Sequence, residues 1–323
     1  MKKALMLLLV GALVFAFAAN VLAEDKVKIG FLVKQPDEPW FQDEWKFAQQ
    51  AADELGFELI KIGATDGEKV LTGIDNLAAQ GAQGFIICTP DVKLGPAIAA
   101  KAEAAGLKVM SVDDRFVGSD GNPMEDVHHT GISALNIGKQ VGKALADEIQ
   151  KRGWDIKQVG FLRMSYDQFP TIKERTDGAT EELVAAGLPQ ERIFDSPLKT
   201  LDIEGSFNAA NITITKQPDV KLWIVAGGND SSVLGAVRAL EGQKFPVENA
   251  IGIGINGTEA VAEFQKEGVT SFIASILLNA KAHGYGTAKD MYAWIKEGKE
   301  PLKATWTAGA LMTRENYKEL MGM

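Results

Sequence analysis

Residues 27–62, VKIGFLVKQPDEPWFQDEWKFAQQAADELGFELIKI, contain the unit that decides the fold. Short β-rich runs at 27–33 and 57–62 flank a stretch at 41–55 with the pattern of an amphipathic helix. The apolar residues of that stretch recur at spacings of three and four, namely Trp45, Ala48, Ala52 and Leu55. Because this spacing gives the helix one apolar face to pack on the strands, the sequence predicts a βαβ unit with parallel strands.

The same alternation of strand and helix continues along the chain. Further β-rich runs lie at 84–88, 107–112, 158–162, 220–226, 251–255 and 270–276. Helical stretches lie between most of them, at 68–79, 94–105, 133–150, 171–186, 231–241, 258–266 and 283–296. Because strand, helix and strand in repeated order give parallel sheets with right-handed crossovers, the sequence predicts an α/β fold.

These runs leave two arrangements open: one large sheet or barrel, or two smaller doubly wound lobes. Residues 116–126 are polar and Gly-rich, and a long helical stretch at 133–150 then begins a new series of units. This break favours two lobes divided near residue 130. No flexible Gly/Ser linker joins them, so the lobes are expected to be closely coupled.

The composition excludes several classes of protein. The chain has 323 residues, of which 46% are hydrophobic and 24% are charged, as in an ordinary globular protein. Its 34 Lys and Arg residues against 43 Asp and Glu residues give a formal net charge of -9. An acidic chain lacks the basic surface that attracts phosphates, so nucleic-acid binding is not expected.

The N-terminus has the order of a secretory signal peptide. Lys2 and Lys3 precede an uncharged run at 4–23, which closes with the small-residue pattern Val21-Leu22-Ala23. We therefore expect residues 1–23 to be removed by cleavage after Ala23, leaving an exported protein. A single membrane anchor is the alternative, since the run approaches the length of a bilayer span.

Three other motifs do not predict catalysis, metal binding or cofactor binding. Cys88, the single cysteine, follows an apolar run and is expected to be a buried thiol at a strand end. His128 and His129 have no partner at metal-ligand spacing, so they are expected to be a surface or loop pair. The stretch GIGING at 252–257 matches the dinucleotide glycine pattern, but its first glycines interleave with strand residues, which argues against NAD.

Polar residues cluster just after the predicted strands, where open parallel sheets bind ligands. These residues are Lys34, Glu38, Thr89, Asp91, Asp113, Asp114, Asn229, Asp230 and Asn256, with Trp40 and Phe41 beside the first two. Carboxylates accept hydroxyl hydrogens, amides both donate and accept, and lysine donates, a set that suits a neutral polyol. Trp40 and Phe41 offer flat walls for the C–H face of a sugar. Each polar residue alone also fits a helix cap or a turn.

Several stretches together resemble one family. They are 30–47 (GFLVKQPDEPWFQDEWKF), 85–91 (FIICTPD), 112–114 (VDD), 151–155 (KRGWD), 229–235 (NDSSVLG) and 251–257 (IGIGING). In these stretches the chain is similar to the type I periplasmic binding proteins of bacterial ABC importers, in particular to members that bind L-arabinose. The resemblance covers essentially the whole chain after the signal segment and is looser at 164–207.

The resemblance implies two Rossmann-like lobes joined by a three-segment hinge, with the sugar enclosed between them. The chain would cross between the lobes near Ile132, Leu278 and Ala308. The N-terminal lobe would then comprise residues 24–132 plus 278–307. The C-terminal lobe would comprise residues 133–277 plus 308–323.

The resemblance also implies a set of sugar-binding residues. It places Lys34, Glu38, Trp40, Phe41, Asp113 and Asp114 on the N-terminal side of the cleft, and Thr171, Arg175, Asn229, Asn256 and Glu259 on the other. The residue at Asp114 would accept the anomeric hydroxyl, Arg175 would donate to the ring oxygen, and the asparagines would bind the far hydroxyls.

Three of the family's positions differ in this chain. Ile132 and Gly228 stand where the family has methionines, and Glu259 stands where it has an aspartate. Gly228 is expected to leave room beside the sugar, and the β-branched Ile132 to narrow the same corner.

The function implied is a non-enzymatic, monomeric periplasmic receptor that needs no cofactor or metal. It would deliver L-arabinose, or alternatively D-galactose, D-fucose or another monosaccharide, to an ABC permease in the membrane. A sugar-responsive transcription factor shares the architecture but needs an N-terminal DNA-binding motif and a basic face. A sugar dehydrogenase is the third class of hypothesis.

Overall fold

The computed structural model describes residues 26–323, so the predicted signal peptide at 1–23 lies outside the described residues. The strands are β1 (Lys28–Val33), β2 (Glu58–Gly63), β3 (Gly84–Ile87), β4 (Lys108–Asp113), β5 (His128–Ile132), β6 (Val159–Ser165), β7 (Ile193–Pro197), β8 (Leu222–Gly227), β9 (Ala250–Asn256), β10 (Phe272–Leu277), β11 (Ala304–Thr307) and β12 (Ala310–Thr313). Within residues 26–323 no helix has the length and apolar content that a bilayer span requires.

The helices occupy most of the intervals between these strands. They are α1 (Pro39–Leu55), α2 (Gly67–Ala79), α3 (Gly95–Ala104), α4 (Ala134–Lys151), α5 (Pro170–Ala185), α6 (Ile203–Thr215), α7 (Asp230–Gly242), α8 (Thr258–Phe264), α9 (Thr287–Glu297) and α10 (Tyr317–Met321). Local sequence sets their ends: α1 begins at Pro39 and ends before Gly56, whose φ of 78° is a left-handed cap conformation.

The first sheet has the strand order β11-β5-β4-β3-β1-β2 and is parallel throughout. Its central strands β1 and β3 are apolar because both faces are covered. Helices α1 and α9 cover one face, where Phe31 and Ile86 are buried. Helices α2 and α3 cover the other, where Leu32 and Phe85 are buried.

The second sheet has the order β12-β10-β9-β8-β6-β7, and only its edge strand β12 runs antiparallel, against β10. Helices α4 and α5 cover one face, and α6, α7, α8 and α10 cover the other. Two separate sheets with helices on both faces confirm the two-lobed α/β fold and rule out the single large sheet or barrel.

The chain passes between the sheets three times. It leaves the first sheet after β5, returns after β10, and crosses again in the short segment between β11 and β12. One apolar core cluster is continuous through this region, with Ile132, Ile137 and Leu278 joining residues of both lobes. The carboxyl ends of the parallel strands in both sheets consequently meet across a common cleft.

The interpretation of His128 and His129 as a surface or loop pair is wrong. Both lie in β5, between β4 and β11, and both are buried. Their side chains point to opposite sides: His128 Nε2 is 2.9 Å from Glu300 Oε1, and His129 Nδ1 is 2.9 Å from Ser111 Oγ. Burial and the charge of Arg115 lower the pKa of His129 to about 4, so its ring is neutral.

Candidate ligand-binding cleft

Residues from both lobes line a narrow cavity of about 40 Å³ between the sheets. It brings together ten of the residues predicted from the sequence: Lys34, Glu38, Trp40, Phe41, Asp113, Asp114, Thr171, Arg175, Asn229 and Asn256. Gln35, Ile172 and Leu201 complete the lining and were not predicted. The carboxyl ends of strands from two sheets therefore converge on one polar chamber.

Lys34 and Asp114 form a buried ion pair on the N-terminal wall of the chamber. Lys34 Nζ donates to Asp114 Oδ2 and also lies 4.5 Å from the centre of the Phe169 ring in the opposite lobe. Burial alone would lower the pKa of Lys34, but the charge and hydrogen bond of Asp114, together with the charges of Cys88 and Asp113, raise it overall and keep the ammonium charged. The pair thus presents a donor and an acceptor side by side.

Glu38 reaches across the cleft from the loop before α1. Its Oε1 lies 3.3 Å from Asn229 Nδ2 and 3.5 Å from Asn256 Nδ2, both in the other lobe. Burial raises the pKa of Glu38 to about 7, and the charge of Glu259 adds to that effect. The carboxyl group therefore joins the two lobes and titrates close to neutral pH.

Arg175 is the cation of the C-terminal wall. It is 8% exposed, and its Nη1 donates to the backbone carbonyl of Gly228. Burial lowers the pKa of Arg175, while the charges of Asp114 and Asp113 on the facing wall oppose that effect. Its Nε has no hydrogen-bond partner among the described residues, and a buried donor in that state is suited to a ligand acceptor.

Asp113 lies at the end of β4 on the N-terminal wall and has a φ of 60°, which is uncommon outside glycine. It accepts from Trp40 Nε1 at 3.3 Å, and its Oδ1 lies 2.7 Å from His283 Nδ1. Burial alone would raise the pKa of Asp113, but the hydrogen bond and charge of His283, together with the charge of Lys34 and the hydrogen bond from Trp40, lower it overall. His283 Nε2 in turn lies 2.9 Å from Thr307 Oγ1, at the end of β11, so this network ties the site to a segment where the chain changes lobes.

Glu44, Asp113 and His283 are the nearest approach to a metal-binding group among the described residues, with ligand atoms within 4.8 Å of one another. A ligating carboxylate has to be charged. Glu44 is fully buried, and burial, together with the charge of Asp113, raises its pKa well above the ordinary value. The neutral form of Glu44 is a poor ligand for a cation, and neither of its carboxyl oxygens has a hydrogen-bond partner among the described residues.

Ile132, Gly228 and Glu259 do not line the cavity. Ile132 is packed in the core at the end of β5, and Glu259 accepts from Ser231 Oγ at 2.6 Å. The expectation that Gly228 leaves room is wrong, because a Cβ placed there would lie 2.6 Å from Cγ2 of Ile172. Ile172 already fills that space.

Asn229 both caps a helix and directs its side chain at the cleft, so it has both of the roles that its position in the sequence allowed. Its Oδ1 caps α7 by accepting from the Ser232 backbone N–H at 2.9 Å, and Ser232 completes a capping box. Its Nδ2 remains directed at Glu38 and at the Leu201 carbonyl, 3.1 Å away. The cap fixes the side chain so that the amide donors face the cleft.

Cys88 is buried at the end of β3, as predicted, with Sγ 3.4 Å from Asp114 Oδ2. Burial raises the pKa of its thiol well above the ordinary value. A neutral buried thiol is a poor nucleophile, so Cys88 supports the wall and offers no reactive sulfur.

A chamber with carboxylates, cations, amides and aromatic walls, shared by two α/β lobes, defines a binding protein for a neutral polyhydroxylated ligand. The model of the family "Periplasmic binding proteins and sugar binding domain of LacI family" matches residues 26–319. The chain belongs to this family.

Two curated relatives are 49% identical to the chain. One is the "L-arabinose-binding periplasmic protein" of Escherichia coli (strain K12), aligned over 93% of this chain and 91% of the relative. The other is the "ABC transporter L-arabinose-binding periplasmic protein" of Azospirillum brasilense, aligned over 92% and 89%.

Among solved structures, the Caulobacter myo-inositol binding protein has a TM-score of 0.77 at 20% identity, covering 93% of this chain and 97% of that one. A periplasmic solute binding protein from Actinobacillus succinogenes, with bound D-allose, has a TM-score of 0.77 at 19% identity and covers 91% and 100%. These likenesses confirm the fold.

The raised pKa of Glu38 predicts a pH-dependent stability. Its ordinary pKa is 4.5 and its pKa in the cleft is about 7, so the neutral form stabilises this arrangement. That contribution is fully present below pH 4.5 and is lost as the pH rises through 7. Relative to Glu38→Gln, the wild type is expected to lose stability over this window, measured as the midpoint of thermal unfolding.

The quantity compared is the difference in stability between wild type and Glu38→Gln, because Glu44 and Asp230 also have raised pKa values. The contribution of Asp230 is common to wild type and variant and cancels, whereas the charge of Glu38 acts on Glu44, so a change at Glu44 in the variant is part of the effect of removing Glu38. Parallel stability curves between pH 4.5 and pH 7 would contradict the assignment to Glu38.

Proposed function

We propose that this protein is a periplasmic receptor that encloses L-arabinose between its two lobes and delivers it to an ABC-type permease. The observation that carries the proposal is the convergence of ten predicted residues from both lobes on one cavity. Two relatives with L-arabinose in their names, each 49% identical over more than nine tenths of the chain, support this choice of sugar. D-Galactose and D-fucose are the alternative ligands.

The binding roles that we propose are those implied by the family resemblance, and the chemistry of each wall supports them. Asp114, held beside the Lys34 ammonium, accepts the anomeric hydroxyl, and Arg175 donates to the ring oxygen. Asn229 and Asn256 bind the far hydroxyls, and Trp40 with Phe41 contacts the C–H face of the ring. The direct contacts that these groups make with one another in the narrow cavity are exchanged for contacts with the sugar.

Calorimetric titration of the purified protein without its first 23 residues tests the proposed function. We expect tight binding of L-arabinose, weaker binding of D-galactose and D-fucose, and the weakest binding of D-xylose and D-ribose. Recovery of unchanged sugar after incubation with NAD would agree with a receptor that performs no catalysis. Failure to bind any of the five sugars would overturn the proposal.

Export and assembly belong to the same proposal. We infer cleavage after Ala23, release into the periplasm and action as a monomer. The mass of the protein recovered from the periplasm of an expressing bacterium checks the cleavage position, and sedimentation checks the assembly. Retention of residues 1–23 in a membrane fraction would favour the anchor.

The lobes are proposed to be residues 24–132 plus 278–307 and residues 133–277 plus 308–323, with crossings near Ile132, Leu278 and Ala308. The three passages of the chain between the sheets support this division. A cavity of about 40 Å³ has room for only a few water molecules, so a sugar ring has to enter while the lobes are apart. The three passages are therefore proposed to act as a hinge.

Hinge closure predicts that L-arabinose compacts the protein in solution. Ligand contacts with both lobes can be made together only in the closed state, so binding shifts the population towards that state. Small-angle X-ray scattering with and without the sugar is expected to give a smaller radius of gyration for the complex. An unchanged radius in a sample with confirmed binding would contradict hinge closure.

A further inference from the structure

We propose that Ile172 is the residue that sets the size limit for the bound sugar and so separates pentoses from hexoses. This inference rests on the proposed function and names a specificity-determining residue outside the predicted site. Ile172 lines the cavity and is 7% exposed. It stands in the first turn of α5, next to Thr171 and one turn before Arg175.

Ile172 is held in place by a glycine. A Cβ at Gly228 would lie 2.6 Å from Cγ2 and 2.9 Å from Cδ1 of Ile172. The isoleucine side chain therefore packs directly against the backbone of Gly228, in space that any other residue type would fill with its own side chain. Arg175 donates to the carbonyl of the same glycine and fixes this backbone from the same helix. The β-branched side chain has few rotamers, so it cannot swing away at low cost.

The rest of the chamber distinguishes sugars poorly by size. Its polar groups recognise ring hydroxyls, and L-arabinose and D-galactose present the same arrangement of those hydroxyls. A hexopyranose differs by an additional CH2OH group, which has to meet or avoid an apolar surface. On the C-terminal wall the aliphatic lining residues are Ile172 and Leu201.

Of these two, Ile172 provides the fixed wall. Leu201 lies outside the helices and strands, in the segment between β7 and α6, and is partly exposed. Ile172 is buried in a helix and lies against the Gly228 backbone, so a ligand cannot displace it without moving α5. A rigid wall that stands one methylene too close rejects the larger ligand.

The test uses Ile172→Ala and Ile172→Val with competition titrations of L-arabinose against D-galactose. One methylene-sized group in a pocket is worth about 10- to 200-fold in discrimination, so Ile172→Ala is expected to reduce the preference for L-arabinose at least about tenfold. Ile172→Val, which removes one methyl group, is expected to give a smaller change in the same direction. Leu201→Ala, at the other aliphatic lining residue, is the comparison and is expected to change the ratio less. Val184→Ala, at an exposed aliphatic residue of the same helix, is the matched control and is expected to leave the ratio of the two affinities unchanged.

A double-mutant cycle tests the packing contact between Gly228 and Ile172. Gly228→Ala is expected to weaken binding of both sugars, since its methyl group pushes Ile172 or the helix into the cavity. Adding Ile172→Ala removes the clash and is expected to restore binding, whereas independent sites would give additive losses. Thermal unfolding of each variant confirms that it is folded.

Each outcome bears on one claim. If the wild type binds neither sugar, the proposed function fails. If the wild type binds L-arabinose but Ile172→Ala leaves the ratio unchanged, or if Leu201→Ala changes it equally, Ile172 is not the size filter. Additive effects in the cycle with Gly228→Ala would likewise overturn the proposal.

Discussion

Asp114→Ala is expected to lower the affinity for L-arabinose by one to two orders of magnitude or more while leaving the fold intact. The substitution removes a buried carboxylate of the N-terminal wall, and it leaves the Lys34 ammonium buried without its charge partner. Hydrogen bonds to charged groups are worth about 1.5 to 3 kcal/mol. The loss is measured by calorimetric titration.

The matched control is Asp37→Ala, which removes an exposed carboxylate from the loop that also carries Glu38. It changes the net charge by the same amount but is expected to alter the affinity little. Arg175→Ala is expected to match Asp114→Ala, because its guanidinium serves the same ligand from the other lobe. Unchanged affinity in either cleft variant would show that the binding roles are assigned wrongly.

The parts of the fold that depend on local pattern were predictable from the sequence. The run at 27–33 and the helix pattern at 41–55 became β1 and α1, because a strand covered on both faces is apolar and a surface helix repeats every three to four residues. Polar residues after the strands were predictable as a site for a similar reason. Parallel strands end at one edge of a sheet, so Lys34 after β1 and Asp114 after β4 were expected at the same edge, and in the structure they meet across the end of β3.

Four strands were not predicted from the sequence: β5, β7, β11 and β12. They are short and at best weakly apolar, and three of them lie at sheet edges, where local pattern is weak. The error at His128 and His129 has the same origin. The strand that covers them, β11, lies far along the chain, so nothing near them in the sequence indicates burial.

His283 and Ile172 show the limit of sequence reasoning for the site. His283 meets Asp113 across a separation of 170 residues, and only the tertiary fold brings the two together. Ile172 reads as one apolar residue of an amphipathic helix, which is the ordinary pattern of a core position. Its role depends on the missing side chain at Gly228, a relation between two elements that only the coordinates can supply.

Gly138→Ala is expected to destabilise the protein strongly and to impair sugar binding from outside the cavity. Helices α4 and α5 meet in backbone contact, and a Cβ at Gly138 would lie 2.7 Å from the carbonyl carbon and 2.9 Å from the Cα of Arg175. Backbone atoms cannot rotate away as a side chain can, so the helices have to separate. Overpacking of this kind costs about 1 to 3 kcal/mol, measured as the free energy of unfolding in denaturant.

The loss of affinity is expected because the added methyl group displaces the backbone of Arg175. Gly138 contacts the backbone of Arg175 itself, so any separation of the helices moves the guanidinium away from the position fixed by the Gly228 carbonyl. Gly286→Ala is the matched control: Gly286 ends the π-helical segment Ala282–Gly286 that leads into α9, a Cβ there meets nothing within 4 Å, and its φ of -60° suits alanine, so little change in stability is expected. If Gly138→Ala were as stable as Gly286→Ala and bound L-arabinose equally well, the close contact of α4 and α5 would not be what positions Arg175.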